Sequence, residues 1–521
     1  MKLADLAASL GATSIHGDLS TEITGVAYDS RKVQPGDLFV CVPGFQSDGH
    51  DFAQKAADAG AAALVVERPV QLTGAVPTLR VPSARRALAT AAACLGDYPA
   101  RKLLTVGITG TNGKTSTAYL CQAVLREGGF RPGLIGTIHA LVGERVVPLR
   151  NTTPESADLQ GLLGEMVEAE LDAVVMEVSS HALVLERTHD LPFDIGVFTN
   201  LTQDHLDFHK TMENYFQAKM ELFRQLGADW SRVPTPFAII NLDDEYARRI
   251  LPELQVPYVT YGFHEDAHVR ATDLEVGPAG VTYTVSTPVG EERVELQLSG
   301  LFNVQNSLAA ISVGLAQRID LSDAVRGVES VPGIRGRFEL VREGQDYTVV
   351  VDYAHTPDGL ENLLSSARQV TRGRVLTVFG CGGDRDAAKR PMMGEIAGRL
   401  SDHVIATSDN PRSEDPDTIL DAIENGLAPT GVSYERESDR ASAIGRAIGM
   451  AGAGDTVVIA GKGHENYQIF ADRTIHFDDV EVAGQAIRVR LGKGGKPGSR
   501  TNDPALWTER RRTTAALEQT R

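Results

Sequence analysis

The sequence predicts an α/β protein built from about three domains, and three observations lead there. The chain has 521 residues, whereas a single domain usually holds roughly 100–200. Short apolar runs alternate with helical stretches along most of its length, the pattern of largely parallel sheets covered by helices on both faces. One such run, residues 103–108, feeds a glycine-rich turn and then a helix, the layout of a phosphate-binding loop.

The elements follow in order. Residues 37–42 read as a strand, 53–62 as a helix and 63–66 as another strand. A helix begins after Ser83, whose hydroxyl is a suitable N-cap. Residues 98–102 read as a linker. Beyond it, strand 103–108 leads to a helix starting near Thr115, and further strands are expected at 172–177, 194–200 and 237–241. Residues 268–299 differ: 281–285 and 292–298 alternate by face, as in an antiparallel hairpin. A helix over 303–317 follows. From Val331-Pro332-Gly333 a further α/β segment begins, with strands at 347–351, 374–379, 403–407 and 456–460. The expected division is 1–98, 99–330 and 331–491. Residues 492–521 are rich in Gly, Pro, Thr and Arg, hold seven basic and three acidic residues, and read as a disordered tail.

Composition narrows the function. A chain with 42% hydrophobic and 23% charged residues is an ordinary globular protein, which excludes wholesale disorder, a coiled coil and a collagen. Lys and Arg total 51 against 69 Asp and Glu, a net charge of −18, which argues against nucleic acid or an anionic membrane as partner. Cys41, Cys94, Cys121 and Cys381 are far apart and form no CxxC pair, so reduced, buried thiols are expected. The N-terminus lacks the continuous apolar stretch of a signal peptide, and no run is long enough to span a membrane. A cytoplasmic protein is expected.

Chemistry concentrates in a few segments. In Gly110-Thr111-Asn112-Gly113-Lys114-Thr115-Ser116 the glycines let backbone N–H groups turn toward phosphate oxygens. Lys114 would neutralise the β- and γ-phosphates and the Thr115 hydroxyl would reach Mg²⁺. The first glycine is out of register with a strict G-x-x-x-x-G-K-[ST] motif. Glu177 ends an apolar strand, where the acidic partner of such a metal usually sits. Asp204-His205-Leu206-Asp207-Phe208-His209 crowds two acids and two histidines together, suggesting metal or phosphate contact; it is not HExxH, which argues against a zinc peptidase. Three later loops, 380–386, 409–412 and 461–465, each follow an apolar strand, the place where open α/β sheets bind ligands. They would bring Arg390, Arg412 and Lys462 near Asp409 and Glu465, a mixture suited to a zwitterionic amino acid, with scattered surface charge as the competing reading.

Seven segments occur in order: Gly110–Thr115, Asn151-Thr152-Thr153-Pro154, Glu177-Val178-Ser179-Ser180-His181, Asn200 to Asp207, Tyr215-Phe216-Gln217-Ala218-Lys219, Ser408-Asp409-Asn410-Pro411-Arg412, and Gly461 to Gln468. Together, over about residues 20–485, they make the chain resemble the Mur ligases, the ATP-dependent amide-forming ligases of peptidoglycan precursor synthesis. The resemblance implies a three-domain α/β architecture. An N-terminal domain would take the UDP part of the substrate, a central P-loop ATPase domain the ATP, and a C-terminal Rossmann-like domain the incoming amino acid. It implies ATP and Mg²⁺ as cofactors, and a reaction in which a substrate carboxylate is phosphorylated before an amine attacks it.

Carried over by position, the resemblance implies Lys114, Glu177, His205 and Lys219 as catalytic residues. It gives Thr115, Glu177, His205 and a carbamylated Lys219 as metal ligands. ATP contacts would come from Gly110 to Ser116, Asn303, Arg337 and Asp352. The UDP-muramoyl dipeptide would meet Tyr28, Ser30, Phe45, Gln46, Ser47, Asn151, Thr152, Thr153, Ser179 and Arg187. The amino acid would meet Arg390, Asp409, Asn410, Pro411, Arg412, Gly461 and Glu465. Asp-Asn-Pro-Arg is the diaminopimelate form of the family's pattern, with Arg412 as the cation for the distal carboxylate. The implied substrates are UDP-N-acetylmuramoyl-L-alanyl-D-glutamate and meso-diaminopimelate, handled by a monomer. Addition of L-lysine or L-ornithine, a folylpolyglutamate synthase-like ligase, and a non-catalytic nucleotide-dependent binding protein are the alternatives.

Overall fold

A computed structural model of the chain describes residues 1–44, 47–226, 235–277 and 280–493. Phe45 and Gln46 lie outside the described residues, as does the tail from 494 onward. The chain divides into two compact units, Met1–Phe338 with Thr356–Val370, and Glu339–His355 with the segment from Thr371 onward.

The first unit contains two sheets. The smaller is built from β1 (Ser14–His16), β2 (Gly25–Ala27), β3 (Asp37–Val40), β4 (Ala63–Val66) and β5 (Thr78–Arg80), in the order β1-β5-β4-β3-β2. Only the β1–β5 pair is antiparallel. The expected helix at 53–62 stops at Asp58, and Gly60 turns the chain back into β4. The Ala84–Leu95 helix begins as expected, with the Ser83 hydroxyl accepting from Arg86 N–H.

The larger sheet has eleven strands. They are β6 (Leu104–Thr109), β7 (Pro132–Ile135), β8 (Ala140–Val142), β9 (Arg145–Val147), β10 (Ala173–Glu177), β11 (Ile195–Phe198), β12 (Phe237–Asn241), β13 (Tyr258–Gly262), β14 (Val269–Gly277), β15 (Gly280–Thr287) and β16 (Gly290–Leu296). Their order is β16-β15-β14-β13-β12-β11-β6-β10-β7-β8-β9. The strands from β14 to β7 run parallel, and both edges are antiparallel. The hairpin expected at 268–299 is therefore two strands of a three-stranded edge. The opposite edge, β7–β9, has strands of three or four residues, too short for a periodicity to be read.

The central strands are buried on both faces, as parallel strands between helices must be. Val106, Ile108 and Val175 pack on one side with Leu120, Val124 and Leu308. Val174 and Met176 pack on the other with Phe193, Leu222 and Phe223.

The second unit carries β17 (Glu339–Leu340), β18 (Thr348–Asp352), β19 (Val375–Phe379), β20 (His403–Ala406), β21 (Ser433–Arg436) and β22 (Thr456–Ala460), in the order β17-β18-β22-β19-β20-β21. All but β17 are parallel. A hairpin, β23 (Tyr467–Ile469) with β24 (Thr474–His476), stands apart from this sheet. The Pro357–Val370 helix leaves β18 in sequence but groups with the first unit. All four cysteines are free and buried. Among the described residues, no helix is long and apolar enough to cross a membrane.

Candidate active site

β6 lies between β11 and β10 inside the eleven-stranded sheet and delivers its chain into the Gly110–Gly113 turn before the Lys114–Glu127 helix. Gly110 and Gly113 have φ of 154° and 83°. A Cβ at Gly110 would meet Thr199 Oγ1 at 1.8 Å, and one at Gly113 would meet Asn306 Oδ1 at 2.5 Å, so only glycine fits either place. The turn is held from the segment directly after β11: Asn112 N–H donates to Asn200 Oδ1 (2.9 Å), and Thr199 Oγ1 donates to the Asn112 carbonyl (2.7 Å). Asn112 Nδ2 donates to Asp358 Oδ2 at 2.5 Å, an acid at the start of the Pro357–Val370 helix.

Two lysines converge on this turn. Lys114 Nζ donates to the carbonyls of Gly110 (2.9 Å) and Thr111 (2.7 Å), and Lys219 Nζ donates to the same Gly110 carbonyl (2.7 Å). Burial lowers the Lys114 pKa, against the opposing pull of Glu177 and Asp204. Burial, then the charge of Lys114, pushes Lys219 well below the ordinary lysine range. Lys219 lies on the Met212–Leu226 helix, one turn beyond Tyr215, and its ammonium sits 4.4 Å from the centre of that ring. The Tyr215 hydroxyl lies 3.2 Å from Thr111 Oγ1, so a single side chain touches both the turn and the lysine.

Glu177 ends β10, beside β6, and is almost fully buried. Thr137 holds both carboxylate oxygens, with its N–H at 2.8 Å and its hydroxyl at 2.9 Å. Thr115 Oγ1 accepts from Arg337 Nη2 at 3.0 Å. His205, at φ 54°, lies 3.3 Å from Asp204 and packs edge-on against His181 with ring centres 4.8 Å apart. Buried His209 stacks on Tyr215 and meets the Ser180 hydroxyl at 2.9 Å. Its pKa is pushed down to about 4 by burial, then by His181 and Lys219. Asn303 and Asn306 lie one turn apart and are bonded to each other (3.1 Å), and Asn306 also accepts from Thr117. Asp352 belongs to the second unit, where it ends β18 and accepts from Ala354 N–H.

The dipeptide-side residues gather around the end of β10. Thr153 Oγ1 donates to the Glu177 carbonyl (2.9 Å) and accepts from Ser179 N–H (3.1 Å). Thr152 Oγ1 lies 3.1 Å from Thr137 Oγ1. Arg187 donates to the Thr153 carbonyl and to Glu155, which also pairs with Arg85. Asn151 is exposed beside them. At the uridine-side positions, Tyr28 donates to Asp158 (2.5 Å), Ser30 is buried, and the Ser47 carbonyl accepts from Gly44 N–H.

In the second unit, loops after β19, β20 and β22 interlock. Asn410 Nδ2 donates to Glu465 Oε2 (2.9 Å), and buried Lys462 donates to Asn410 Oδ1 (3.3 Å) and Glu465 Oε2 (3.1 Å). Gly461 passes so close that a Cβ there would lie 2.6 Å from Asp409 Oδ2. Arg412, at φ 53°, donates to the Gly383 carbonyl (2.7 Å), next to Pro411. Arg390 pairs with Glu414 (2.9 Å), while its Nε and the hydroxyl of Ser408 are buried with no hydrogen-bond partner among the described residues. Buried polar atoms of this kind are costly unless a ligand or water meets them.

The chain matches three family descriptions along its length. Residues 22–95 match "Mur ligase family, catalytic domain", 108–314 "Mur ligase middle domain", and 336–463 "Mur ligase, glutamate ligase domain". The UDP-N-acetylmuramoyl-L-alanyl-D-glutamate–2,6-diaminopimelate ligase of Bacillus velezensis is 46% identical over 494 residues, covering 95% of this chain and 100% of that protein. The chain belongs to the Mur ligase family. It has that family's three-domain α/β architecture, and it is an ATP-dependent acid–amino-acid ligase. The ligase of the same name from Clostridium acetobutylicum is 42% identical to this Mur ligase over 490 residues, 94% of this chain and 99% of that protein. A solved structure of such a 2,6-diaminopimelate ligase covers 94% of this chain and 99% of its own, at 31% identity and a TM-score of 0.66. The MurF ligase of Thermotoga maritima in complex with ADP shares the fold at 19% identity, 91% and 98% coverage and a TM-score of 0.62.

Several residues that build this Mur ligase's site escaped the reading of its sequence. Thr137 clasps Glu177, Glu155 orients Arg187, Asp358 meets Asn112, and Glu414 pairs with Arg390. Tyr215 and Asn306 carried a usable signal, since each lies one helical turn from a residue already singled out.

Proposed function

We propose that this Mur ligase adds meso-diaminopimelate to UDP-N-acetylmuramoyl-L-alanyl-D-glutamate, with ATP, in peptidoglycan precursor synthesis. The observation that carries the reading is the Asp409–Arg412 loop, locked through Asn410 to Lys462 and Glu465, within a chain so alike to the diaminopimelate ligases named above. Residues 1–98 take the uridine end, 99–330 the ATP and 331–491 the amino acid. We take the enzyme to work as a monomer in the cytoplasm, where nucleotide substrates are found.

A carboxylate is a poor electrophile, and phosphorylation gives it a leaving group. The Gly110–Ser116 turn presents N–H groups to the phosphates, and Lys114 neutralises charge on the transferring phosphoryl group. Asn303 and Arg337 add further ATP contacts. Asn151, Thr152, Thr153, Ser179 and Arg187 hold the muramoyl dipeptide, with Tyr28, Ser30, Phe45, Gln46 and Ser47 toward the uridine. The amine of the diamino acid then attacks the acyl phosphate, forming the amide and releasing phosphate. Arg390, Asp409, Asn410, Pro411, Gly461 and Glu465 seat that amino acid, and Arg412 meets its distal carboxylate, which lysine and ornithine lack.

Among the described residues no group of three or more His, Cys, Asp or Glu side chains is placed to hold a metal. Mg²⁺ prefers few protein oxygens together with water and phosphate; Thr115, Glu177 and a carbamylated Lys219 offer oxygens, and His205 the one nitrogen. Thr115, Glu177, His205 and a carbamylated Lys219 would hold it, and it would supply positive charge at the phosphates. A buried Lys219 whose amine is readily neutral suits carbamylation, because the free amine is the form that adds CO₂. Release of ADP that requires both the UDP-muramoyl dipeptide and a diamino acid tests the reading. ADP release indifferent to the dipeptide would overturn it.

A further inference from the structure

Arg440 is the largest fully buried side chain among the described residues, and nothing in the reaction described above uses it. It opens the Arg440–Met450 helix behind the sheet of the second unit. Its guanidinium makes a two-point pair with Asp479, Nε to Oδ1 at 2.8 Å and Nη2 to Oδ2 at 2.7 Å, with both side chains wholly hidden from solvent. Asp479 is the first residue of the Asp479–Arg490 helix, where the helix end favours a negative charge.

Two of the three remaining donors of the guanidinium go to main-chain carbonyls. Nη2 donates to Ala460 (3.0 Å) and Nη1 to Ser408 (3.4 Å). Ala460 is the last residue of β22, directly before the Gly461–Glu465 loop, and Ser408 directly precedes Asp409-Asn410-Pro411-Arg412. β22 and β20 are not neighbours, because β19 runs between them. One buried side chain therefore ties together the exits of two separate strands at the roots of the two loops. Above it the loops lock through Asn410, Lys462 and Glu465. Burial opposes the charge on Arg440, and Asp479, followed by Asp409 and Glu465, sustains it, so the clamp also lies within electrostatic reach of the pocket's own carboxylates.

We propose that the Arg440–Asp479 pair is a positioning clamp that sets the spacing of the Asp409–Arg412 and Gly461–Glu465 loops and so governs how well the amino acid is seated. The link to the amino acid rests on the proposed function, whereas the link to the loops rests on the hydrogen bonds alone. A bare buried ion pair is weak evidence of stabilisation, since apolar replacements of similar volume often fold as well or better. The two carbonyl contacts are what an apolar pair cannot reproduce.

The test compares wild type, Arg440→Lys, and the double variant Arg440→Met with Asp479→Leu. In the double variant we expect a cooperative unfolding transition near that of wild type. Hydrogen exchange should rise at amides of residues 408–412 and 461–469, while those of β18 and β19 stay protected. The KM for the diamino acid should rise about tenfold to a hundredfold, the scale on which small misplacements act, with the KM values for ATP and the UDP-substrate unchanged. Arg440→Lys, which keeps a charge but fewer donors, should fall between, and it carries the test should the double variant not fold. Unchanged loop exchange in a folded variant would overturn the clamp whatever the enzyme's substrate. Faster loop exchange with an unchanged amino-acid KM would overturn its role in seating the substrate. Wild type that ligates no diamino acid would overturn the functional reading instead, leaving the exchange result to decide the clamp.

Discussion

At the phosphate loop, Lys114 and Lys219 both donate hydrogen bonds to the Gly110 carbonyl, and burial pushes both away from the charged form. In the second unit, Lys462 sits on Glu465, Arg390 on Glu414 and Arg440 on Asp479. The first region gathers cations against a backbone carbonyl, in the way of a site whose counter-charges arrive with the nucleotide. The second pairs these three cations with carboxylates of the fold and leaves Arg412 on main-chain carbonyls. Removing a cation from the first should therefore strike the chemical step, and from the second the amino-acid KM.

The largest effect is expected at Lys114. Lys114→Ala should lower kcat by about 10²–10³-fold, the scale of losing one pre-placed charge at the reacting group. Full activity in a folded variant would break the phosphate-loop half of the comparison. Lys219→Ala should be nearly inactive as well, with partial recovery on adding a short carboxylic acid that replaces the carbamate. Mass measurement of the native protein should show one added CO₂, lost on acidification; an unmodified Lys219 in the nucleotide-bound enzyme would remove the anion from the account.

Arg412→Ala sharpens the other half. Truncating one member of a partly desolvated charge pair costs roughly 2–5 kcal/mol. The KM for meso-diaminopimelate should rise accordingly and that for the UDP-substrate should not. An equal rise in both would mean that Arg412 supports the fold rather than the pocket.

The smallest effect concerns His209. Its pKa is pushed down to about 4 in the folded protein, against roughly 6.5 for an unperturbed imidazole. The unfolded chain therefore takes up a proton first as pH falls. The stability held by neutral His209 is complete above about pH 6.5 and declines as pH falls toward 4. The Tm of wild type should drop more across that window than that of His209→Phe, and parallel curves would show that His209 does not titrate there.

The phosphate loop was legible because its chemistry demands consecutive residues: the strand, glycines, Lys114 and Thr115 lie within one stretch. Lys219 could be found only through resemblance, since a lysine on an amphipathic helix looks like surface, yet it is buried. Thr137, Glu155 and Asp479 left no trace because each acts on a residue 32 to 40 positions away, a pairing that only the folded chain creates. Strands buried on both faces, such as β10 and β22, announced themselves as apolar runs. The short edge strands β7–β9 and the hairpin β23–β24 had no such run to show.

The most direct test of the account is ATP-dependent product formation from UDP-N-acetylmuramoyl-L-alanyl-D-glutamate, measured as kcat/KM with meso-diaminopimelate, L-lysine and L-ornithine in turn. The wild-type enzyme should clearly prefer meso-diaminopimelate, and Arg412→Ala should narrow that preference. A wild-type preference for lysine or ornithine would contradict it.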